Sequence, residues 1–461
     1  MRCAQVIRQV AGFSQAFSDS QPFPLKSVFP HAFLCVRYTT NFHSIIQMRF
    51  PRRILFAALA IAAAASFLLC GYEFIRAVST SLFIDAYGSE NLPWVMAAVF
   101  PCVYFMIYVY GRVLSWLGAN RALVMTSLLS ALVIVGTYGL ILSGYRIATA
   151  VIYVLREAYI VLIIEQYWSF VNSTLKPKQA RLINGPFCAI ASIGSITGGL
   201  LVRGLAESLG SEILLLFAAG SLLPAAMCSA IAYTLAGEPQ PTDVEKGGRQ
   251  GHTGVKLLFR SRYLVLIFLL ILTTQFVSTV LDLRFNGLVE ETIPDKNART
   301  AFYGTFYGPW LGGSAFLMQL IAAPLLLRIL PLRLVHLGVP LVHFITCTML
   351  TVAPSLRSGA VAFLCFKAFD YSIFRAGKEI FYIPLSFDAR YRAKQVNDSF
   401  GYRSAKSGGG FVIGLIGLIL TIPGVVFSMI AMVMAVLWSG IVSNLTIQYQ
   451  KLEKTQVDVS P

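Results

Sequence analysis

Long apolar segments recur along most of the chain, separated by short polar connections. About twelve windows of roughly 18 to 25 apolar residues can be drawn, the length that an α-helix needs to cross a hydrocarbon core of about 30 Å. They lie near residues 54–74, 92–116, 121–142, 147–171, 183–206, 211–236, 262–286, 301–329, 333–355, 359–385, 404–422 and 424–447. The pattern predicts an all-α polytopic membrane protein with about twelve transmembrane helices.

Composition and charge agree with this prediction. Hydrophobic residues make up 56% of the chain and charged residues 13%, with a mean hydropathy of +0.70. The net charge of +16 could indicate a nucleic-acid partner, but most of the basic residues fall in alternate connections between the apolar windows. Cytoplasmic loops of membrane proteins carry such an excess of lysine and arginine. We therefore expect a lipid bilayer around the chain, no nucleic-acid partner, and both termini in the cytoplasm.

The polar segments divide the chain into regions. Residues 1–47 read as an N-terminal extension, either a disordered or untranslated segment before a start at Met48, or a cytoplasmic tail. We expect a first six-helix bundle over 48–236, a Gly- and Pro-rich cytoplasmic linker over 237–260, a second six-helix bundle over 261–447, and a cytoplasmic tail over 448–461.

The second bundle repeats the layout of the first. Charged residues correspond at nearly constant intervals, as in the pairs Arg76 with Arg284 and Glu165 with Glu379. A six-helix duplication accounts for these pairs. Parallel repeats of this kind are typical of the major facilitator architecture, so we expect a 6+6 pseudo-repeat of that type, acting as a monomer.

Charged residues lie inside predicted spans 1, 4, 7 and 10, and Arg403 and Lys406 enter span 11. Each charge costs about 2.5 to 3.5 kcal/mol at the bilayer centre, so such residues persist mainly where they face a cavity or each other. In the major facilitator architecture these four helices surround the central cavity, where the charges would converge. The alternative is that acids and bases pair and only hold the bundle together.

The densest of these segments is span 10. Lys367, Tyr371, Arg375, Lys378 and Tyr382 follow at steps of three or four, which places them on one helical face. Arginine and lysine suit phosphate or carboxylate, and tyrosine can stack on a ring. The face predicts an anionic, aromatic solute.

Metal and redox chemistry have little support in the sequence. The eight cysteines include no C-x-x-C pair, and the five histidines have no ligand spacing. We expect no cofactor, no metal and no catalytic residue. The chain also lacks HExxH and nucleophile-elbow motifs, which argues against an enzyme that acts on lipid-linked substrates.

Three motifs resemble a known family. The segments KEIFYIPL (378–385), KSGG (406–409) and WSFVN (168–172) are similar to K-E-x-x-Y-I-P-L, K-S-G-G and W-x-F-x-N of the ATP/ADP exchangers of plastids and intracellular bacteria. The resemblance covers residues 54–447 and implies a twelve-helix, major-facilitator-like carrier that exchanges nucleotides without hydrolysing them. It also implies an integral protein of a bacterial inner membrane.

The resemblance also implies roles for particular residues. It assigns cavity acids to Glu157 and Asp282 and cavity cations to Arg76 and Lys406. Two departures concern cations: AVSTS follows Arg76 where the family has a lysine and an aspartate, and Met96 stands near the position of another lysine. These departures leave open a nucleotide other than ATP or ADP, or another organic anion.

The combined prediction is a nucleotide carrier that works by alternating access. Cations neutralise phosphates, acids gate the cavity or contact the base, and Tyr371 or Trp168 stacks on the base. A proton-coupled facilitator in which Glu165 or Asp282 titrates remains an alternative, as does a nucleotide receptor that transports nothing. The predicted substrate-binding residues are Arg76, Glu157, Trp168, Asp282, Tyr371, Arg375, Lys378, Glu379 and Lys406.

Overall fold

The structure is a computed structural model that describes residues 52–174, 177–237, 258, 259, 261–385, 397 and 401–458, with the backbone alone for 115, 172, 177–186 and 454–458. The predicted N-terminal extension and most of the predicted linker lie outside these residues. Within them, every regular element is helical: α1 (Arg52–Tyr87), α2 (Ser89–Leu114), α3 (Trp116–Leu142), α4 (Ile147–Thr174), α5 (Pro177–Leu209), α6 (Leu214–Ala236), α7 (Arg262–Thr292), α8 (Lys296–Ile329), α9 (Leu332–Val352), α10 (356–381), α11 (Tyr402–Ile419) and α12 (Gly424–Asp458).

The number of helices confirms the predicted fold class. Ten of them, α1 to α9 and α12, are long and apolar enough to cross a membrane within the described part of the chain. The two others, α10 and α11, coincide with predicted spans 10 and 11, and span 10 carries more charged residues than any other predicted span. Helix α12 continues to Asp458, so residues 448–458, predicted as a tail, are helical.

Helices α2 and α3 form one helical run from Leu92 to Leu142 that bends at Gly118. Gly118 has φ 76°, a backbone conformation that glycine adopts without a steric penalty. The predicted connection between these two spans is therefore a kink.

Helices α8 and α10 contain wider π-helical turns. They cover Phe306–Gly312 and Met318–Ala322 in α8 and Asp370–Phe374 in α10. Such turns interrupt the α-helical register and occur often at functional sites. Of the predicted face along span 10, Lys367 Nζ and the Arg375 guanidinium carbon lie 5.7 and 5.8 Å from the Tyr371 ring centre, whereas Lys378 is buried beside the Tyr402 ring.

Small residues bring the helices together. Gly194 and Gly198 on α5 lie against the backbone of α1, where a Cβ atom at either position would overlap a main-chain carbonyl. Gly199 contacts Gly304 and Gly308 of α8 in the same way. The sequence predicts close helix contact at this segment, because glycine permits backbones to approach. These contacts align α1, α5 and α8 around the polar centre of the bundle.

Candidate functional site

Polar side chains from six helices enclose a small cavity in the middle of the bundle. Its volume is about 60 Å³, roughly that of two water molecules at about 30 Å³ each. Helices α1, α4, α7, α8, α10 and α11 all contribute to it. The lining residues are Tyr72, Arg76, Thr80, Arg156, Glu157, Asp282, Asn286, Tyr307, Lys367, Tyr371 and Lys406.

On the α1 side, two arginines are held in place by rings and by the main chain. The Arg76 guanidinium carbon lies 3.6 Å from the centre of the Tyr307 ring, a cation–π contact between α1 and α8. Arg156 Nη1 donates to the Arg76 carbonyl at 2.7 Å and to Ser79 Oγ at 2.9 Å, and its guanidinium carbon lies 3.8 Å from the Tyr153 ring centre. Arg156 therefore joins α4 to the main chain of α1 beside Arg76.

An ion pair crosses the cavity between the first and the last six helices. Glu157 Oε2 on α4 lies 3.7 Å from Lys406 Nζ on α11, and Glu157 Oε1 lies 3.5 Å from Arg156 Nε. The Glu157 and Lys406 side chains are 22% and 28% exposed. A partly exposed pair of this length exchanges its partners more easily than a short buried one.

Helix α7 supplies a carboxylate and holds a lysine of α10 through Ser278. Asp282 Oδ1 accepts from Asn286 Nδ2 at 2.9 Å, and Asn286 Oδ1 accepts from the Tyr303 hydroxyl at 2.6 Å. Lys367 Nζ donates to Ser278 Oγ at 2.8 Å and lies 5.7 Å from the Tyr371 ring centre. The hydrogen bonds fix Asp282 and Lys367 from behind, while both side chains still line the cavity.

Five of the nine predicted substrate-binding residues line this cavity: Arg76, Glu157, Asp282, Tyr371 and Lys406. The structure thus brings charges from α1, α4, α7 and α11 to one place. Their role in binding a substrate stays a prediction.

The other four predicted residues lie elsewhere. Trp168 packs on Phe187 with ring centres 5.1 Å apart, and Lys378 Nζ is buried 4.9 Å from the centre of the Tyr402 ring. Arg375 and Glu379 are exposed. On α4, Trp168 follows the cavity residue Glu157, and on α10 the other three follow the cavity residue Tyr371. All four therefore lie on one side of the cavity along the helices.

Six lining residues are absent from the predicted set: Tyr72, Thr80, Arg156, Asn286, Lys367 and Tyr307. Tyr72 and Thr80 are four residues before and after Arg76, so helical spacing places them on the same face. Charge inside an apolar span marks Arg156 and Lys367, as it marks the residues that were predicted. Tyr307 carries no such signal, because tyrosine is common in membrane helices and the π turn around it alters the register.

Polar contacts close the bundle on the other side of the cavity, between the first and the last six helices. Arg299 Nη2 on α8 lies 3.4 Å from Asp85 Oδ1 on α1, and Lys296 Nζ lies 2.5 Å from Glu212 Oε1. Asn297 Oδ1 accepts from Ser211 N at 2.9 Å and from Ser211 Oγ at 2.8 Å. We call these residues the closure: Asp85, Ser211, Glu212, Lys296, Asn297 and Arg299.

The closure is displaced from the cavity along the helices. Asp85 lies nine residues beyond Arg76 on α1, or about 13 Å at about 1.5 Å per residue. Between the two levels, Gly199 of α5 contacts the backbone of α8 at Gly304 and Gly308. The cavity is therefore sealed on this side by backbone packing and then by ion pairs.

Comparison with known proteins agrees with the resemblance in the sequence. Residues 336–455 match the family model described as "TLC ATP/ADP transporter". ADP,ATP carrier protein 3 of Rickettsia typhi is 24% identical over 364 residues, which cover 68% of this chain and 72% of that protein. ADP,ATP carrier protein 1 of Rickettsia prowazekii is 26% identical over 227 residues, covering 43% of this chain and 45% of that protein.

Solved structures of major facilitator type share the fold. The nucleoside transporter NupG aligns over 86% of this chain and 99% of its own, with a TM-score of 0.59 and 13% identity. A D-xylose-proton symporter aligns over 83% of this chain and 96% of its own, with a TM-score of 0.59 and 13% identity. At these identities the likeness shows the fold alone. The predicted resemblance to the ATP/ADP exchangers and the predicted major-facilitator-like fold are confirmed.

Proposed function

We propose that this chain, an integral membrane protein similar to the ATP/ADP transporter family, is a carrier that exchanges nucleotides across the membrane by alternating access. It is a transporter and not an enzyme. The single observation that carries the proposal is the cavity, where charges from opposite halves of the bundle meet at mid-helix. A family model and carrier relatives that name ATP and ADP agree with it.

The cavity chemistry suits a nucleotide. Four cations, Arg76, Arg156, Lys367 and Lys406, face two carboxylates, so the lining carries an excess of positive charge. Arginine and lysine bind phosphate oxygens through charge-assisted hydrogen bonds. Of the four, Arg156 has one guanidinium nitrogen, Nη1, engaged with α1 and pairs through Nε with Glu157. We assign phosphate contact to Arg76, Lys367 and Lys406.

The aromatic and acidic residues have complementary roles in this proposal. The Tyr371 ring lies beside the Lys367 ammonium, so a base stacked on Tyr371 would place its phosphates near that lysine. Asp282 and Glu157 can accept hydrogen bonds from a base amine or a ribose hydroxyl. An ionised carboxylate accepts hydrogen bonds and donates none, so these two acids favour a ligand with N–H or O–H donors over a simple inorganic anion.

A cavity of about 60 Å³ is too small for a nucleotide, since sites for ligands of that size measure about 300 to 1,000 Å³. Substrate entry therefore requires the two halves to separate on one side. The closure seals one side, and we propose that a substrate enters from the other, past Trp168, Arg375, Lys378 and Glu379. This path gives the four residues a role in attracting and guiding the substrate.

Exchange follows from the pair that joins Glu157 to Lys406. These residues belong to opposite halves, so the halves cannot rearrange around an empty cavity without separating them. A phosphate replaces Glu157 as the partner of Lys406 and releases the pair. The carrier then returns only when it is loaded, and each nucleotide that enters requires one that leaves.

The proposal also covers the orientation of the protein, its membrane and its oligomeric state. The positive-inside pattern favours cytoplasmic termini. The closure, which lies where α1 ends and α8 begins, then faces away from the cytoplasm, and the substrate path opens to the cytoplasm. We assign the protein to a bacterial inner membrane and propose that it functions as a monomer, because the cavity is complete within one chain.

The experiment is uptake of labelled ATP, ADP, other nucleotides and inorganic phosphate into liposomes that contain the purified protein, each with and without internal nucleotide. Uptake that depends on internal nucleotide supports exchange, and the ranking identifies the substrate. Uptake that a protonophore abolishes, without any need for internal nucleotide, would support the proton-coupled alternative. Absence of uptake under every condition would refute the proposed function.

A further inference from the structure

A second pocket lies at the end of the bundle where α2 and α12 begin and α7 and α11 end. Its volume is about 460 Å³, within the range of about 300 to 1,000 Å³ that is usual for ligand sites. It shares no lining residue with the central cavity. Its walls come from both halves of the bundle, with α2 on one side and α7, α11 and α12 on the other.

A buried arginine forms the polar end of this pocket. Arg284 is 8% exposed, and its Nε donor has no hydrogen-bond partner. Its Nη1 lies 3.7 Å from Glu291 Oε1, which is a loose pair. Gly424 borders the guanidinium so closely that a Cβ atom there would overlap it. A buried donor without a partner destabilises the structure, so an acceptor in the pocket would relieve this cost.

Two carboxylates line the same pocket. Glu291 is 66% exposed on its side chain, and Glu90 is the exposed residue of the turn Ser89–Asn91. That turn is held against α7, because Ser89 N donates to Glu290 Oε2 at 2.9 Å. The pocket therefore presents a buried cation next to two acids on a fixed turn, an arrangement for a ligand that carries both signs of charge.

The rest of the pocket is apolar and continues into the membrane surface. Trp94, Ile413 and Phe427 line it, and Leu418 and Leu420 on its edge are 71% and 63% exposed. Transmembrane helices end at the level of the lipid head groups. The ends of α7 and α11 therefore place the polar part of the pocket at the membrane interface and its apolar part against the acyl chains.

We propose that this pocket binds a phospholipid with a primary-amine, zwitterionic head group, such as phosphatidylethanolamine. The phosphodiester accepts hydrogen bonds from Arg284, including the bond that its Nε lacks. The ammonium group donates to Glu90 and Glu291, and an acyl chain lies along Leu418 and Trp94. The proposal stands independently of the substrate of the central cavity.

The charge pattern discriminates between lipids. A choline head group has the same charges but no N–H donor, so it cannot hydrogen-bond to the two glutamates. An anionic glycerol head group places no positive charge near them and leaves the carboxylates uncompensated. We expect the ethanolamine lipid to bind about tenfold more tightly than the choline lipid, the factor that corresponds to one charge-assisted hydrogen bond.

The test uses quenching of Trp94 fluorescence by lipids with brominated acyl chains, titrated into the full-length protein in neutral detergent. Ethanolamine, choline and glycerol head groups are compared on identical chains, and Trp94→Phe identifies the part of the signal that comes from this tryptophan. We expect the ethanolamine lipid to quench at about one-tenth of the concentration of the choline lipid. Equal quenching by both lipids, or stronger quenching by the glycerol lipid, would overturn the proposal.

Two variants and one soluble competitor test the assignment of the head group. Glu90→Gln, at an exposed position where it should not impair folding, is expected to reduce the ethanolamine preference about tenfold. Glu207→Gln, an exposed acid near the same end of the bundle but outside the pocket, should leave it unchanged. Soluble phosphoethanolamine should fail to displace the lipid, and displacement at equal concentration would mean that the ligand is a free metabolite. An unaltered preference in Glu90→Gln would refute the head-group assignment.

Discussion

Replacing Glu157 by glutamine should loosen the coupling between inward and outward movement. The substitution preserves the shape of the side chain and removes its charge, so Lys406 loses the carboxylate that lies 3.7 Å away on the opposite half. Rearrangement of the empty carrier would then no longer require an ion pair to separate. The expected result is a carrier that returns unloaded.

The magnitude can be worked out from the distance. Two unit charges at this separation attract by about 4 kcal/mol at an effective dielectric constant of about 20. The side chains are 22% and 28% exposed, and Arg156 competes for the same carboxylate at 3.5 Å. Solvent screening and this competition leave about 1.4 kcal/mol, which corresponds to about a tenfold change in the rate of empty return.

The assay is efflux of labelled internal nucleotide from liposomes into buffer with and without external nucleotide. For the unmodified protein we expect efflux into nucleotide-free buffer to be at the background rate of empty return, and for Glu157→Gln we expect that rate to be about tenfold faster. Glu165→Gln, on the same helix but outside the cavity, is the matched control and should behave as the unmodified protein. If Glu157→Gln exchanges nucleotide normally and its efflux still requires external nucleotide, the pair does not hold the empty carrier and the reasoning is wrong.

Three further predictions concern the cavity and its seal. Lys406→Gln should raise the KM for nucleotide by about tenfold in exchange assays, because one charge-assisted phosphate contact is lost; an unchanged KM would remove this lysine from the site. Cysteines in place of Ser211 and Asn297, whose Oγ and Oδ1 atoms lie 2.8 Å apart, should form a disulfide that stops transport until it is reduced. Transport that continues in the oxidised protein would show that the closure need not open. Gly199→Val should lower both the thermal stability and the transport rate, because a side chain there meets the backbone of α8. Gly204→Val on the same helix has free space and should change neither. Equal effects of the two substitutions would contradict the proposed packing.

Much of the fold can be predicted from the sequence because the bilayer imposes a strict rule on length and polarity. Each apolar window predicts a helix, and the unusual charges within spans 1, 4, 7 and 10 mark faces that avoid lipid. Arg76, Glu157 and Asp282 are such charges, and the family resemblance assigns the same three residues to the cavity. The same rule predicts that these charges face a cavity or one another.

The parts that could not be predicted depend on local backbone geometry and on contacts between distant segments. A π turn over Asp370–Phe374 alters the register of α10, and Lys378, which ideal α-helical spacing places on the face of Tyr371, lies 4.9 Å from the Tyr402 ring centre. The sequence carries no simple signal for that extra residue in the turn. The ion pair of Lys296 with Glu212 likewise joins residues far apart in the chain, and only the packing of α5 on α8 brings them together.

Residues with the same chemistry at corresponding positions of a repeat can have different surroundings. Arg76 and Arg284 correspond in the two halves of the predicted repeat, yet Arg76 lines the central cavity and Arg284 lines the second pocket. Their different surroundings follow from the helices that pack against each. A repeat in sequence therefore predicts equivalent helices but not equivalent sites.

The most direct test of the central claim is a double-label exchange experiment in liposomes that contain the purified protein. The vesicles hold ADP with one label, ATP with a second label is added outside, and both are counted over the same interval. The account predicts that ATP enters and ADP leaves in equal amounts, and that neither moves when the other side holds no nucleotide. Entry of ATP without exit of ADP, or no movement of either nucleotide, would contradict it.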